Sequence, residues 1–119
     1  MDSKRILIID DEVGITETVA EIFKFYGHHV DTANDGIDGL NLIKNSNYDL
    51  ILLDIVMPGM HGNEVYAEIQ KIRPAARVIV ITGYSEDHQL VKRIRKMGIK
   101  ELFHKPFDFD TLIDSIKTL

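Results

Sequence analysis

Three apolar runs of four residues punctuate the chain: Ile6-Leu7-Ile8-Ile9, Leu50-Ile51-Leu52-Leu53 and Val78-Ile79-Val80-Ile81. None alternates with polar residues, and all are rich in branched side chains. Unbroken runs of strand length suit strands covered on both faces, as in a parallel sheet. Two weaker runs, His29 to Ala33 and Lys100 to Phe103, carry polar residues that suit sheet edges. Between the strands the apolar period lengthens. Ile15, Val19, Ile22, Phe23 and Tyr26 recur at helical spacing, with Gly27 as a stop. Val65, Ile69 and Ile72 repeat this before Pro74, and Leu90, Val91, Ile94 and Met97 before Gly98. Leu112, Ile113 and Ile116 close the chain behind an Asp108 or Asp110 N-cap, and Ile37, Leu40 and Ile43 predict a shorter helix.

Five strand–helix pairs in alternation predict an α/β fold, doubly wound, with right-handed crossovers. The most apolar strands belong inside the sheet and the weakest outside. The order 2-1-3-4-5 satisfies this for a five-stranded parallel sheet. It reverses between the first and third strands, and ligands of such sheets bind there, beyond the carboxyl ends of the strands.

With 119 residues the chain is the size of one domain, assigned to residues 1–119, and can bury a core without staples. It has no cysteine, which excludes disulfides, thiolate zinc sites and cysteine nucleophiles. No apolar run approaches the roughly twenty residues of a membrane span. Lys4 and Arg5 precede too short a run to form a signal peptide. The net charge of −5 speaks against nucleic-acid binding by this chain alone. The expected setting is cytoplasmic, away from the membrane.

The chemistry lies after the strands. Asp10, Asp11 and Glu12 follow the first, Asp54 the third, Thr82 and Gly83 the fourth, and Lys105 and Pro106 the fifth. In the predicted fold these converge on one end of the sheet. Carboxylates crowded together repel unless a cation sits among them. All-oxygen ligands suit Mg²⁺, which keeps waters and favours phosphate as a co-ligand. A lysine and a hydroxyl opposite could hold phosphoryl oxygens, and an aspartate can accept a phosphoryl group. Any one of these residues alone is an ordinary turn or cap; their conjunction at four strand ends points to a Mg²⁺ and phosphoryl site.

With these motifs, the chain resembles the receiver domains of two-component response regulators over essentially its whole length. That resemblance implies the flavodoxin-like (βα)5 fold. It also implies a phosphoacceptor role in a two-component system or phosphorelay, rather than a turnover enzyme. Asp54, in Leu52-Leu53-Asp54-Ile55-Val56-Met57-Pro58-Gly59-Met60-His61-Gly62, resembles the phosphoacceptor. Asp10 and Asp11 resemble the acidic pair, with Asp11 the nearer Mg²⁺ ligand and the Val56 backbone carbonyl another; Mn²⁺ is an alternative occupant. Thr82 resembles the switch hydroxyl and Lys105 the lysine that pairs with the phosphoryl group. The Lys105-Pro106 peptide resembles the family's cis bond. The implied partners are a histidine kinase or histidine phosphotransfer protein and a downstream output protein or domain, with slow self-dephosphorylation.

Some positions depart from or add to that pattern. Leu102 stands where receivers carry an aromatic or histidine switch, and Phe103 is expected to face the core. Val56 and Tyr84, two residues beyond Asp54 and Thr82, are expected to overhang the phosphoryl group and prolong its lifetime. Ile15 and Met60 are candidate exposed apolar contacts for a phosphodonor helix. Lys92, Arg93, Arg95, Lys96 and Lys100 read first as a solvated helix face and second as a patch for an acidic partner or a dimer contact. The five histidines show no metal-ligand spacing and are expected in turns or at the surface.

Three rivals fit less well. A phosphatase of the haloacid-dehalogenase type needs a second aspartate where the chain has Val56. A flavin or nucleotide module needs a phosphate loop, not acids, after the first strand. A phosphorylation-independent adaptor would not need the intact acids, Thr82 and Lys105.

Overall fold

The computed structural model describes residues 3–118, so the outermost residues of the assigned 1–119 domain lie outside the described residues. Five strands, β1 (Arg5–Ile9), β2 (His29–Ala33), β3 (Leu50–Asp54), β4 (Arg77–Thr82) and β5 (Glu101–His104), form one parallel sheet in the order β2-β1-β3-β4-β5. They alternate with α1 (Val13–Phe25), α2 (Gly36–Asn45), α3 (Gly62–Ile72), α4 (Gln89–Lys96) and α5 (Phe109–Ile116). The polar strands β2 and β5 are the edges.

The unbroken apolar runs have a direct cause. Successive strand residues point to opposite faces, and both faces are covered. Leu7, Ile9, Ile51, Leu53 and Val80 pack beneath α2, α3 and α4 with Ile43, Val65, Ile69, Val91 and Ile94. Ile6, Ile8, Leu50, Leu52, Ile79 and Ile81 pack beneath α1 and α5 with Val19, Phe23, Leu112 and Ile116. In register, Ile9 lies beside Leu53 and Asp54 beside Ile81. The carboxyl ends of the central strands therefore finish level, and the acids beyond them share one rim.

Local departures from the apolar stripes have packing reasons. In α1 the buried line is Thr16, Val19, Ala20 and Phe23, while Tyr26 is exposed. Thr16 tolerates burial because its hydroxyl donates to the Glu12 carbonyl at 2.7 Å. α2 is longer than α4 or α5, not shorter. Its buried face is Gly36, Gly39, Leu40 and Ile43, and Ile37 points to solvent. Gly39 admits Ile9: a Cβ there would come within 2.6 Å of the Ile9 Cδ1. Asp108 is the N-cap of α5, accepting from the Asp110 amide, and β5 begins one residue later than its apolar run.

His28 corrects the expectation of turn or surface histidines. It is buried, and its Nδ1 accepts the Lys4 amide at 3.0 Å. Burial lowers its pKa, helped by the charge of Lys4. Met60 and Ile15 are likewise half-buried rather than exposed, Met60 against the α2–α3 core and Ile15 against the core beneath α1 and α5, whereas Leu102 and Phe103 pack half-buried on opposite faces of β5.

Candidate functional site

Asp10 and Asp54 are almost completely buried at the ends of β1 and β3, although carboxylates are rarely buried without partners. The partner is Lys105, which follows β5. Its Nζ lies 3.1 Å from Asp10 Oδ2, 2.9 Å from Glu12 Oε1 and 3.0 Å from Asp54 Oδ2. An ammonium has three donors, and each meets a different carboxylate. Asp54 Oδ1 also accepts the Val56 amide at 2.9 Å, and Asp10 Oδ1 accepts the Glu12 amide at 3.0 Å. Asn34 fixes the turn after β1 by donating to the Asp10 carbonyl.

One ammonium among three acids leaves the crevice negative. Burial pushes the Asp54 carboxyl up to about 6; the Val56 amide and Lys105 pull against this, and Asp10 adds to it. Lys105 moves the other way. Burial disfavours its charge, but its bonds to Glu12, Asp54 and Asp10 outweigh that and hold it above the usual lysine range. The two directions are compatible because one cation is shared: it gains three partners, while Asp54 gains a fraction of one.

Ligand oxygens of Asp10, Glu12 and Asp54 lie within 4.8 Å of one another. An all-carboxylate set of this kind fits a hard cation such as Mg²⁺. Lys105 holds that position here, so a metal and the ammonium compete for the same oxygens. The structure brings Glu12, not Asp11, beside Asp10 and Asp54. The chain bends at Asp11, and the Glu12 amide donates to Asp10 Oδ1 across that bend, which brings Glu12 back beside Asp10. Asp11 is half-buried and outside the group. Glu12 was visible as the third acid of the run, yet only the turn geometry distinguishes it from Asp11.

Thr82 ends β4 fully buried, and its Oγ1 accepts the Tyr84 amide at 3.0 Å. Its carbonyl accepts the Lys105 amide at 2.7 Å, which ties β4 to β5 at the rim. The Lys105–Pro106 peptide is cis. Val56 lies beside Asp54 and is 37% exposed. The contact it makes with Asp54 runs through its amide. The Tyr84 ring does not hang free; it stacks on His88 with centroids 3.6 Å apart. Beyond Glu12 and Lys105, a cleft of about 390 Å³ is lined by Gly14, Ile15, Thr18, Pro106, Phe107 and Phe109.

Comparison with known proteins places this arrangement. The sequence pattern of the response regulator receiver domain matches residues 6–117. The chain is 34% identical to sporulation initiation phosphotransferase F of Bacillus subtilis, covering 98% of this chain and 94% of that protein. It is 33% identical to the transcriptional regulatory protein CpxR homolog of Haemophilus influenzae, covering 97% of this chain but only 49% of the relative. Among solved structures, a CheY-like receiver domain protein from Methanospirillum hungatei superimposes with a TM-score of 0.91 at 32% identity, over 98% of this chain and 93% of that one. TrrA from Thermotoga maritima, solved in complex with Mg(2+)-BeF, matches with a TM-score of 0.82 at 39% identity, over 97% of both chains.

Proposed function

The chain belongs to the response regulator receiver domain family, and from that premise we infer that Asp54 is the phosphoacceptor of a two-component system or phosphorelay. The observation that carries this reading is the buried Asp54 carboxylate held by Lys105 beside Asp10 and Glu12. A phosphohistidine of a histidine kinase or phosphotransfer protein presents its phosphorus to the crevice. An Asp54 carboxylate oxygen attacks in line, the nitrogen–phosphorus bond breaks, and imidazole leaves. The product is an acyl phosphate on Asp54. Because such transfers need little covalent help, the protein's task is to position and to neutralise charge.

Asp10, Asp11 and Asp54, with the Val56 backbone carbonyl, would hold Mg²⁺ or Mn²⁺, with Glu12 a further carboxylate beside them; the ion when bound supplies positive charge to the phosphoryl oxygens. Lys105, released from the carboxylates, pairs with another phosphoryl oxygen. Thr82 turns its hydroxyl to donate to a phosphoryl oxygen, a movement that draws Oγ1 away from the Tyr84 amide it accepts here. These contacts differ between the free and phosphorylated forms, which is the requirement for a ligand to shift a population. The shift alters a protein-interaction face that a downstream protein or domain reads. Val56 and Tyr84 follow Asp54 and Thr82 by two residues and supply no general base for an attacking water, so self-dephosphorylation is slow. Among the described residues no helix is long and apolar enough to cross a membrane, in keeping with a cytoplasmic place of action.

Intact mass after incubation with acetyl phosphate and Mg²⁺ tests the reading. One phosphoryl group should be gained, and none with Asp54→Asn or with EDTA. A gain that survives Asp54→Asn would mean another residue is the nucleophile.

A further inference from the structure

His104 is the last residue of β5 and precedes Lys105. It faces α4, on the same side of the strand as Leu102. Its Nδ1 lies 2.8 Å from the Tyr84 carbonyl oxygen, and its Nε2 lies 2.6 Å from Glu86 Oε2. Both partners are acceptors. A neutral imidazole has one N–H, so only the doubly protonated ring satisfies both. Glu86 is also bonded by Arg95 of α4, through Nε at 3.0 Å and Nη2 at 3.1 Å. The Arg95 bond, followed by that of His104, holds the Glu86 carboxyl below the usual glutamate range. Among the described residues, Glu86 is the one carboxylate within ion-pair distance of His104. From β5, the neighbouring Lys105 turns its ammonium to the crevice. From the loop, His88 stacks on the Tyr84 ring.

These bonds span residues 83–88, the loop between β4 and α4, and they act on the site. The Tyr84 amide occupies Thr82 Oγ1 while the Tyr84 carbonyl faces His104. One peptide residue thus connects the imidazole to the hydroxyl beside the crevice. We propose that His104, Glu86 and Arg95 form a proton-dependent clasp that holds this loop, keeps Thr82 Oγ1 engaged by Tyr84, and so restrains phosphoryl acceptance at Asp54. Loss of a ring proton leaves a nitrogen lone pair facing an acceptor oxygen, which loosens the clasp and frees Tyr84 and Thr82. His104 and Glu86 are positioning residues, since neither touches the acceptor. The consequence for transfer rests on the phosphoacceptor reading of Asp54; the clasp itself does not.

Two measurements on the full chain separate these. In the first, nuclear magnetic resonance follows the His104 ring and the amides of residues 83–88 from pH 5.5 to 8.5 without phosphate. The loop amides should titrate together with the ring, and Glu86→Gln should abolish the coupling. Loop amides that ignore the ring would overturn the clasp. In the second, acetyl phosphate labelling rates are compared between the native chain, His104→Ala and Glu86→Gln. Both variants should label roughly three- to tenfold faster at pH 6, as expected when a restraint on a minor state is lifted. The ratio should approach one by pH 8.5. A ratio that does not change with pH removes the restraint, even if the loop titrates. No labelling of any chain would instead count against Asp54 as acceptor, and the resonance measurement alone would then decide the clasp.

Discussion

At Asp54 a carboxylate is kept in the interior with a third of a cation's attention. Its carboxyl titrates at about 6 rather than at the ordinary 3.8. Between those values the folded chain keeps a proton that the unfolded chain has lost. Unfolding free energy therefore falls as pH rises from about 4 to 6, and the deficit persists above. Asp54→Asn should relieve it, because Lys105 retains Asp10 and Glu12. We expect the variant to be more stable by roughly 1–3 kcal/mol at pH 7.5, with the gain vanishing near pH 4; urea unfolding at both pH values checks this. Under the proposal above, the Val56 side chain excludes water from the acceptor. Val56→Asn should hasten loss of the phosphoryl group severalfold, read as the decay of labelled mass. An unchanged or slower decay would remove the steric explanation. Asp54 and Thr82 were legible as the polar residues that end apolar runs, and Lys105 as the cation two positions beyond one. The bond between Glu12 and Lys105 was not, because choosing between neighbouring acids requires knowing which way the turn faces.

The elements owe their positions to two periods, two in the strands and 3.6 in the helices, and to a few close approaches. Gly62 is the tightest. A Cβ there would lie 2.4 Å from the Ile55 Cα, which is backbone and cannot rotate away. Gly62→Ala should push α3 off the end of β3 and cost about 1–3 kcal/mol or more. Gly14, in α1, has nothing within 4 Å of such a Cβ. Gly14→Ala should stabilise by roughly 0.5–1 kcal/mol through helix propensity. Denaturant midpoints that moved alike would contradict this account of the two glycines. Strand order was readable because burial on both faces demands unbroken apolar runs. Ile37 and Tyr26 misled because apolar residues at helical spacing also occur on exposed faces, and in α2 it is Gly39, not Ile37, that lies against Ile9 of the sheet.

Across the whole molecule, the reacting residues and the apolar cleft lie on one rim. Lys105 contributes to both, since Pro106, Phe107 and Phe109 continue from it toward Ile15. A donor that seats on this cleft would bring its phosphoryl group over Asp54. Ile15→Ala should then slow transfer from a cognate kinase severalfold and leave acetyl phosphate labelling unchanged, because the small donor needs no docking surface. Equal loss by both routes would mean that Ile15 supports the crevice itself.

The sequence by itself determined the α/β class, the order of the strands and the end of the sheet where chemistry gathers. Each of these follows from local periodicity and from which residues end each run, both of which are written along the chain. Only the tertiary structure decided which acids share the ammonium, why His28 is buried, and that His104 faces Glu86 across the loop. Those contacts join residues as far apart as Asp10 and Lys105, separated by 95 positions. They depend on side-chain direction at strand ends, where the regular period stops and no pattern in the sequence continues it.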